Sequence, residues 1–197
     1  INTAFAHGGF SMLADTLEVN FGVRPQYYIM TNFQGFVDII NSLGGIDVDV
    51  GQTLTDKCDL PQAVNTYCTV YPGVTQMDGD TALWYVRSRY SSSDFDRLRR
   101  AQEVLYGIFG KLMSLGAVSR LPDLYNSYRS SVETNMSIDD IIPLLPVAPQ
   151  IFSDPGRIQR YTIGPGLVYP YWTPEGAAVL LPDYGAISQI IQEALFK

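Results

Sequence analysis

Apolar residues at Phe10, Leu13, Ala14, Leu17 and Phe21 recur three or four positions apart, and Gly22 follows them. That spacing predicts an amphipathic helix with a glycine stop. Residues 27–33 are rich in Tyr, Ile and Thr and predict a strand. Phe36, Ile39, Ile40 and Leu43 form a second helical stripe, closed by Gly44-Gly45. Ile46, Val48 and Val50 then alternate with Asp47 and Asp49, the pattern of a half-buried strand with an acidic face in water. Residues 51–77 read as a long polar loop. A short helix is expected over 78–85, an extended segment over 86–90, and a break at Ser91-Ser92-Ser93. A long helix is expected over 94–115, with Ser93 or a neighbour as its N-cap and Asp94 and Asp96 in its first turn. Val118, Leu121, Leu124, Tyr125, Tyr128 and Val132 suggest another helix, with Pro122 in its first turn. Ser137 before Asp139 and Asp140 is a further N-cap signal, and Pro143 and Pro146 keep that helix short. Residues 157–163 predict a strand and 164–174 a structured loop of Gly, Pro and aromatics. Ile187, Ile190, Ile191, Ala194 and Leu195 mark a last helix. Strands alternating with helices argue for an α/β fold in one domain, a sheet covered by helices.

Composition narrows the function classes. The 197 residues are 46% hydrophobic and 17% charged, which is globular rather than disordered composition. The formal net charge of −7 argues against a general nucleic-acid binder, since phosphate neutralisation needs a surplus of Lys and Arg. No apolar run reaches the ~20 residues that span a bilayer. The chain opens at Ile1 with neither an initiator Met nor a signal-like segment, and any targeting or membrane segment is expected upstream. The two cysteines, Cys58 and Cys68, stand among Pro61, Asn65 and threonines. A disulfide closing so short a loop contributes on the order of 3 kcal/mol and belongs outside the cytoplasm; two unpaired surface thiols are the alternative.

The strongest local anomaly is basic. Arg87, Arg89, Arg97, Arg99 and Arg100 are five of the 13 Lys and Arg, gathered in 14 residues of an acidic chain. In an extended 86–90, Arg87 and Arg89 point to one face. In a helix from 94, Arg97 and Arg100 share a face at its positive end. Such a pair of pairs suits an anion with several oxygens, a phosphate or pyrophosphate, because guanidinium groups bind it bidentately. The alternative is a solvated basic helix start, its dipole penalty partly offset by Asp94 and Asp96. Other signals are weak. His7 is the only histidine and no G-x-S-x-G accompanies it. Asp78-Gly79-Asp80 fits a turn before a helix better than a cation site. Phe10, Phe33, Phe36 and Phe109 are expected in the core.

Four ordered blocks then carry a resemblance. They are Ile1-Asn2-Thr3-Ala4-Phe5-Ala6 with Gly8-Gly9; Tyr27-Tyr28 to Asn32-Phe33 with Gly35-Phe36; Leu43-Gly44-Gly45-Ile46-Asp47-Val48; and Tyr85-Val86-Arg87-Ser88-Arg89 followed by Asp94-Phe95-Asp96-Arg97 and Arg100. Over about residues 1–110 the chain resembles the LytR–CpsA–Psr family, extracytoplasmic phosphotransferases that attach anionic glycopolymers to bacterial peptidoglycan. The resemblance implies a central mixed β-sheet flanked by helices on both sides, a three-layer sandwich with an apolar pocket for a polyprenyl tail. It implies a Mg²⁺-dependent transferase that moves a glycopolymer from a polyprenyl pyrophosphate carrier to peptidoglycan. A non-catalytic binder of polyprenyl phosphate or anionic glycan, or a lipid pyrophosphate hydrolase, are the alternatives. Arg87, Arg89, Arg97 and Arg100 would grip the phosphates as catalytic residues, with Gln102 also on the substrate. Asp94, Cys58 and Cys68 would be structural. The match starts part-way into the family domain, so the upstream part is expected to be absent, with it the Mg²⁺ ligands and a membrane anchor, and 1–197 to be one domain whose activity alone is in question. Teichoic acid, capsule and arabinogalactan stay open as polymer and acceptor systems. The chain departs from the family's D-F-G-R-x-x-R-Q at Asp96 and Ala101, and Gln102 stands one place late, turned by about 100° on a helix.

Overall fold

The computed structural model describes residues 3–89, 93–114, 131–144 and 161–196, with Arg129, Pro146, Val147, Gln150 and Gln159 besides. Contacts divide the chain into two compact units, 1–28 with 155–197, and 29–154.

In the first unit, α1 (Ala4–Phe21) bends where Gly8 and Gly9 leave helical geometry, and Gly22 ends it in the left-handed region at φ 71°. Its N–H donates to Glu18 O at 2.8 Å, so the glycine stop stands where expected. Residues 164–174 are not the loop expected of them. A 3-10 turn (Pro165–Leu167) leads into β7 (Val168–Trp172), which pairs antiparallel with β8 (Ala178–Pro182). The prolines fooled the pattern: Pro170 lies in a two-stranded ribbon, where an edge strand tolerates it. Asp183 caps the last helix, α6 (Tyr184–Phe196), by accepting from Ala186 N at 3.0 Å, and Ile187 is its buried anchor.

The second unit carries the main core. β1 is only Ile29–Met30, paired with β6 (Glu133–Thr134). The strand expected over 27–33 is cut short because Asn32 starts a helix: its side chain accepts from Gly35 N at 2.7 Å and opens α2 (Phe33–Ser42). Gly44 and Gly45, at φ 77° and 84°, turn the chain into β2 (Ile46–Val50). The expected alternation holds, with Ile46, Val48 and Val50 buried and Asp47 and Asp49 exposed. The loop expected over 51–77 contains three strands, β3 (Leu54–Lys57), β4 (Tyr67–Val70) and β5 (Gly73–Met77). β3 and β4 form a hairpin whose tip turns at Asn65 and Thr66, both left-handed at φ 52° and 67°, while β5 pairs with β2. Leu54, Asp56, Cys68 and Val70 face inward, and Thr, Lys and Tyr between them supplied the polar look. Cys58 and Cys68 have their sulfurs at bonding distance and their Cα atoms 5.7 Å apart.

Asp78 caps α3 (Gly79–Arg87), its carboxylate accepting from Thr81 N at 2.8 Å. α4 (Asp94–Ser114) lies along β2, and Gly107 makes that approach close: a Cβ there would sit 2.8 Å from Asp47 O. Gly79 does the same between α3 and α2, where a Cβ would be 2.4 Å from Val37 O. Ile40, Leu43, Ile46, Val48, Val50, Met77, Tyr85 and Val104 fill the space between these elements. Ser137 and Asp140 close a reciprocal capping box on α5 (Ile138–Ile141), which runs into a 3-10 turn at Ile142–Leu144. The α/β class therefore holds, its described strands joined as four antiparallel pairs. The helix expected over 118–132 and most of the strand expected over 157–163 lie outside the described residues; Tyr161, Thr162 and Ile163 take no regular structure.

Candidate functional site

The arginine segment spans the end of α3 and the start of α4. The extended 86–90 expected from sequence is absent in its first half, because α3 continues through Val86 and Arg87. Arg87 therefore ends a helix, and Ser88, at φ −54° and ψ 133°, breaks it. Arg87 and Arg89 do not share a strand face. Phe95 and Asp96 follow the α4 start, where Ser93 acts as expected: its hydroxyl accepts from Asp96 N at 3.2 Å. The Ser93 hydroxyl and N–H both donate to Asp96 Oδ2, at 2.7 and 2.9 Å. These donors hold the Asp96 carboxyl below the usual carboxylate range, the Ser93 side chain most of all.

Asp94 links two of the arginines. Its Oδ1 lies 3.0 Å from Arg97 Nη1 and 3.7 Å from Arg89 Nη2. All three side chains meet solvent, Arg89 being 70% and Arg97 35% exposed, so these contacts orient more than they stabilise. Arg87 is exposed too, and its guanidinium carbon lies 4.1 Å from the centroid of the Phe33 ring.

Arg100 has a different place. It is 1% exposed, its Nη2 donates to Ser88 O at 2.6 Å, and its guanidinium carbon stands 5.7 Å from the Tyr85 ring centroid. Burial pushes its pKa down from the ordinary arginine value. It joins α4 to the residue that ends α3. Its sharing of an accessible helix face with Arg97 is not realised: one guanidinium turns into the protein and the other to water. Gln102 is half-buried on α4.

Beneath this surface lies a network the sequence did not announce. Glu103 is buried; its Oε2 accepts from the Tyr85 hydroxyl at 2.6 Å, and its Oε1 from Arg99 Nη1 at 2.5 Å and Gly51 N at 3.2 Å. Burial first, then the Glu103 carboxylate, raises the Tyr85 pKa well above the ordinary tyrosine value. The available signal was the i,i+4 spacing of Arg99 and Glu103. Phe33, expected in the core, is 58% exposed, and Phe109 is 43% exposed. Phe36 does pack on the core. His7 is exposed on α1. Among the described residues no group of three His, Cys, Asp or Glu is placed to hold a metal ion.

The model of the LytR_cpsA_psr family matches residues 1–162, which run through both units. The chain is 31% identical over 144 residues to the polyisoprenyl-teichoic acid–peptidoglycan teichoic acid transferase TagU of Enterococcus faecalis, covering 72% of this chain and 44% of that protein. It is 30% identical over 169 residues to the corresponding transferase TagT of Bacillus subtilis, covering 84% and 52%. The chain thus spans about half the length of these curated relatives. The crystal structure of B. subtilis TagV shares the fold, with a TM-score of 0.77 at 24% identity over 98% of this chain and 73% of that one.

Proposed function

This chain belongs to the LytR–CpsA–Psr family, and from that premise we propose that the protein transfers an anionic glycopolymer from a polyprenyl pyrophosphate carrier to peptidoglycan. One observation carries the reading at residue level. Arg87, Arg89 and Arg97 present guanidinium groups at the exposed junction of α3 and α4, and Arg100 ties that junction together from within. Phosphoryl transfer asks the protein mainly for positioning and charge stabilisation, which fixed arginines supply. The bond broken joins the glycopolymer phosphorus to the bridging oxygen of the lipid diphosphate. The bond formed joins that phosphorus to a sugar hydroxyl, which gives up its proton, and the carrier leaves as polyprenyl phosphate. Arg87, Arg89 and Arg97 neutralise the phosphate oxygens throughout. Arg100 acts as a positioning residue rather than a contact, which revises the equal role expected for it.

Mg²⁺ remains part of the proposal on family grounds. The described residues bring together no set of ligands for it, so no step is routed through the metal. An extracytoplasmic site at the membrane surface fits the relatives' substrates as named, and a Cys58–Cys68 disulfide fits such a compartment. Among the described residues no helix is long and apolar enough to cross a membrane.

The test incubates the native full-length protein with a lipid-linked pyrophosphate glycan, Mg²⁺ and a peptidoglycan fragment. Release of polyprenyl phosphate in step with glycan attachment is expected. Tight lipid binding with neither release nor transfer overturns the reading in favour of a binding protein, and release without attachment assigns hydrolysis instead.

A further inference from the structure

The arginines of the junction are not equally committed. Arg89 and Arg97 share the carboxylate of Asp94. Arg99 is held by Glu103, and Arg100 is held by Ser88 O and the Tyr85 ring. Among the described residues no carboxylate lies within ion-pair distance of Arg87, whose near neighbour is a ring, Phe33, 4.1 Å from its guanidinium carbon. That ring is itself firmly placed. Phe33 is the first residue of α2, directly after the Asn32 cap. Two residues on, Gly35 packs so tightly that a Cβ would stand 2.7 Å from both Ser131 O and Thr31 Oγ1, and Thr31 Oγ1 donates to Ser131 O at 2.8 Å.

An aromatic ring 58% open to solvent has been kept from the core, so hydrophobic burial does not explain it. What it does touch is the Arg87 guanidinium, whose central carbon lies over the ring. A ring holds a guanidinium by its quadrupole and, unlike a carboxylate, leaves the N–H donors unspent. A carboxylate partner would do the opposite, occupying those donors and cancelling the charge.

We propose that Phe33 is the positioning residue for Arg87, stacking its guanidinium so that the N–H edge stays charged and pre-oriented toward the oxygens of a diphosphate. This rests on the phosphate-binding role given above to Arg87. It assigns a purpose to an exposed aromatic that the phosphate-gripping arginines alone leave without one. Phe33 acts through Arg87 and touches no reacting atom.

The experiment measures binding of two probes, polyprenyl pyrophosphate in detergent and inorganic pyrophosphate, to the full-length protein and four variants. Phe33→Leu, which keeps an apolar side chain without the ring quadrupole, is expected to weaken both probes by roughly 3- to 10-fold. Phe33→Trp is expected to hold or tighten both. In an Arg87→Ala background, Phe33→Leu is expected to add nothing. Thermal melts check that each variant is folded, and Phe33→Trp, which retains a ring, keeps the test open should Phe33→Leu fold poorly. The inference is overturned if Phe33→Leu leaves both probes unchanged, if it weakens only the lipid (apolar contact with the tail rather than stacking), if its effect persists without Arg87, or if Phe33→Trp loses binding. Unchanged affinity in Arg87→Ala alone would instead remove the phosphate-binding role beneath it, so the two failures are distinguishable.

Discussion

Glu103 meets three donors at once, the Tyr85 hydroxyl, Arg99 and Gly51 N–H, and this concentration makes it the most consequential side chain under the arginine surface. Glu103→Ala leaves a tyrosine hydroxyl and a half-buried guanidinium without their acceptor, and is expected to cost about 3 kcal/mol in urea unfolding, against about 1 kcal/mol for Glu103→Gln. Tyr85 offers a second check. Its folded pKa is raised, so its contribution to stability is complete below the unfolded value of 10.0 and is lost as pH rises through the folded one. Ultraviolet titration should show Tyr85 still protonated above the ordinary tyrosine range until alkaline unfolding, and Tyr85→Phe should remove that late component. At the surface, Arg87→Ala is expected to weaken lipid pyrophosphate binding by about 10-fold or more, the loss of a charge-assisted contact of roughly 1.5–3 kcal/mol. The arginine cluster itself was plain from composition, but its division of labour was not. Arg97 and Arg100 are three residues apart on one helix, and only the packing of α3 against α4 sends one to water and the other into the protein.

Two glycines, Gly79 and Gly107, set how closely the elements approach. Gly107→Ala would push a methyl into the Asp47 carbonyl of β2 and is expected to destabilise by roughly 1–3 kcal/mol. Gly110→Ala, one turn on in α4 and with nothing within 4 Å of its Cβ, should be neutral or stabilise by up to about 1 kcal/mol through helix propensity. Thermal denaturation of the two variants side by side reads the difference. The α4 cap adds a pH dependence. The folded Asp96 pKa lies below the ordinary 3.8, so its stabilisation is full above that value and is lost as pH falls through the folded one. Melting temperatures should therefore fall in the acid range, and Asp96→Asn should flatten that part of the profile. Helices were the more legible elements here, because caps and stops are local: Gly22, Asp78, Ser93 and Ser137 each hold the end they mark or neighbour, whereas Asn32, read as part of a strand, caps a helix. Strands over 51–77 and 164–174 were missed, since pairing partners such as β2 for β5 lie far away in sequence.

For the molecule as a whole, the Cys58–Cys68 pair closes a short loop at the tip of the β3–β4 hairpin. Reducing it is expected to lower stability by about 3 kcal/mol, a drop in Tm of roughly 6–12 °C between oxidised and reduced samples, and an unchanged Tm would remove it from the stability of the fold. Local periodicity, capping residues and four ordered motifs determined the family, the helices and the arginine-rich segment, because these features depend on neighbours within a few residues. Tertiary structure alone decided which arginine is buried, which carboxylate engages which guanidinium, and that Phe33 lies exposed beneath Arg87. Those outcomes depend on burial and on contacts between elements distant along the chain, which no local pattern encodes.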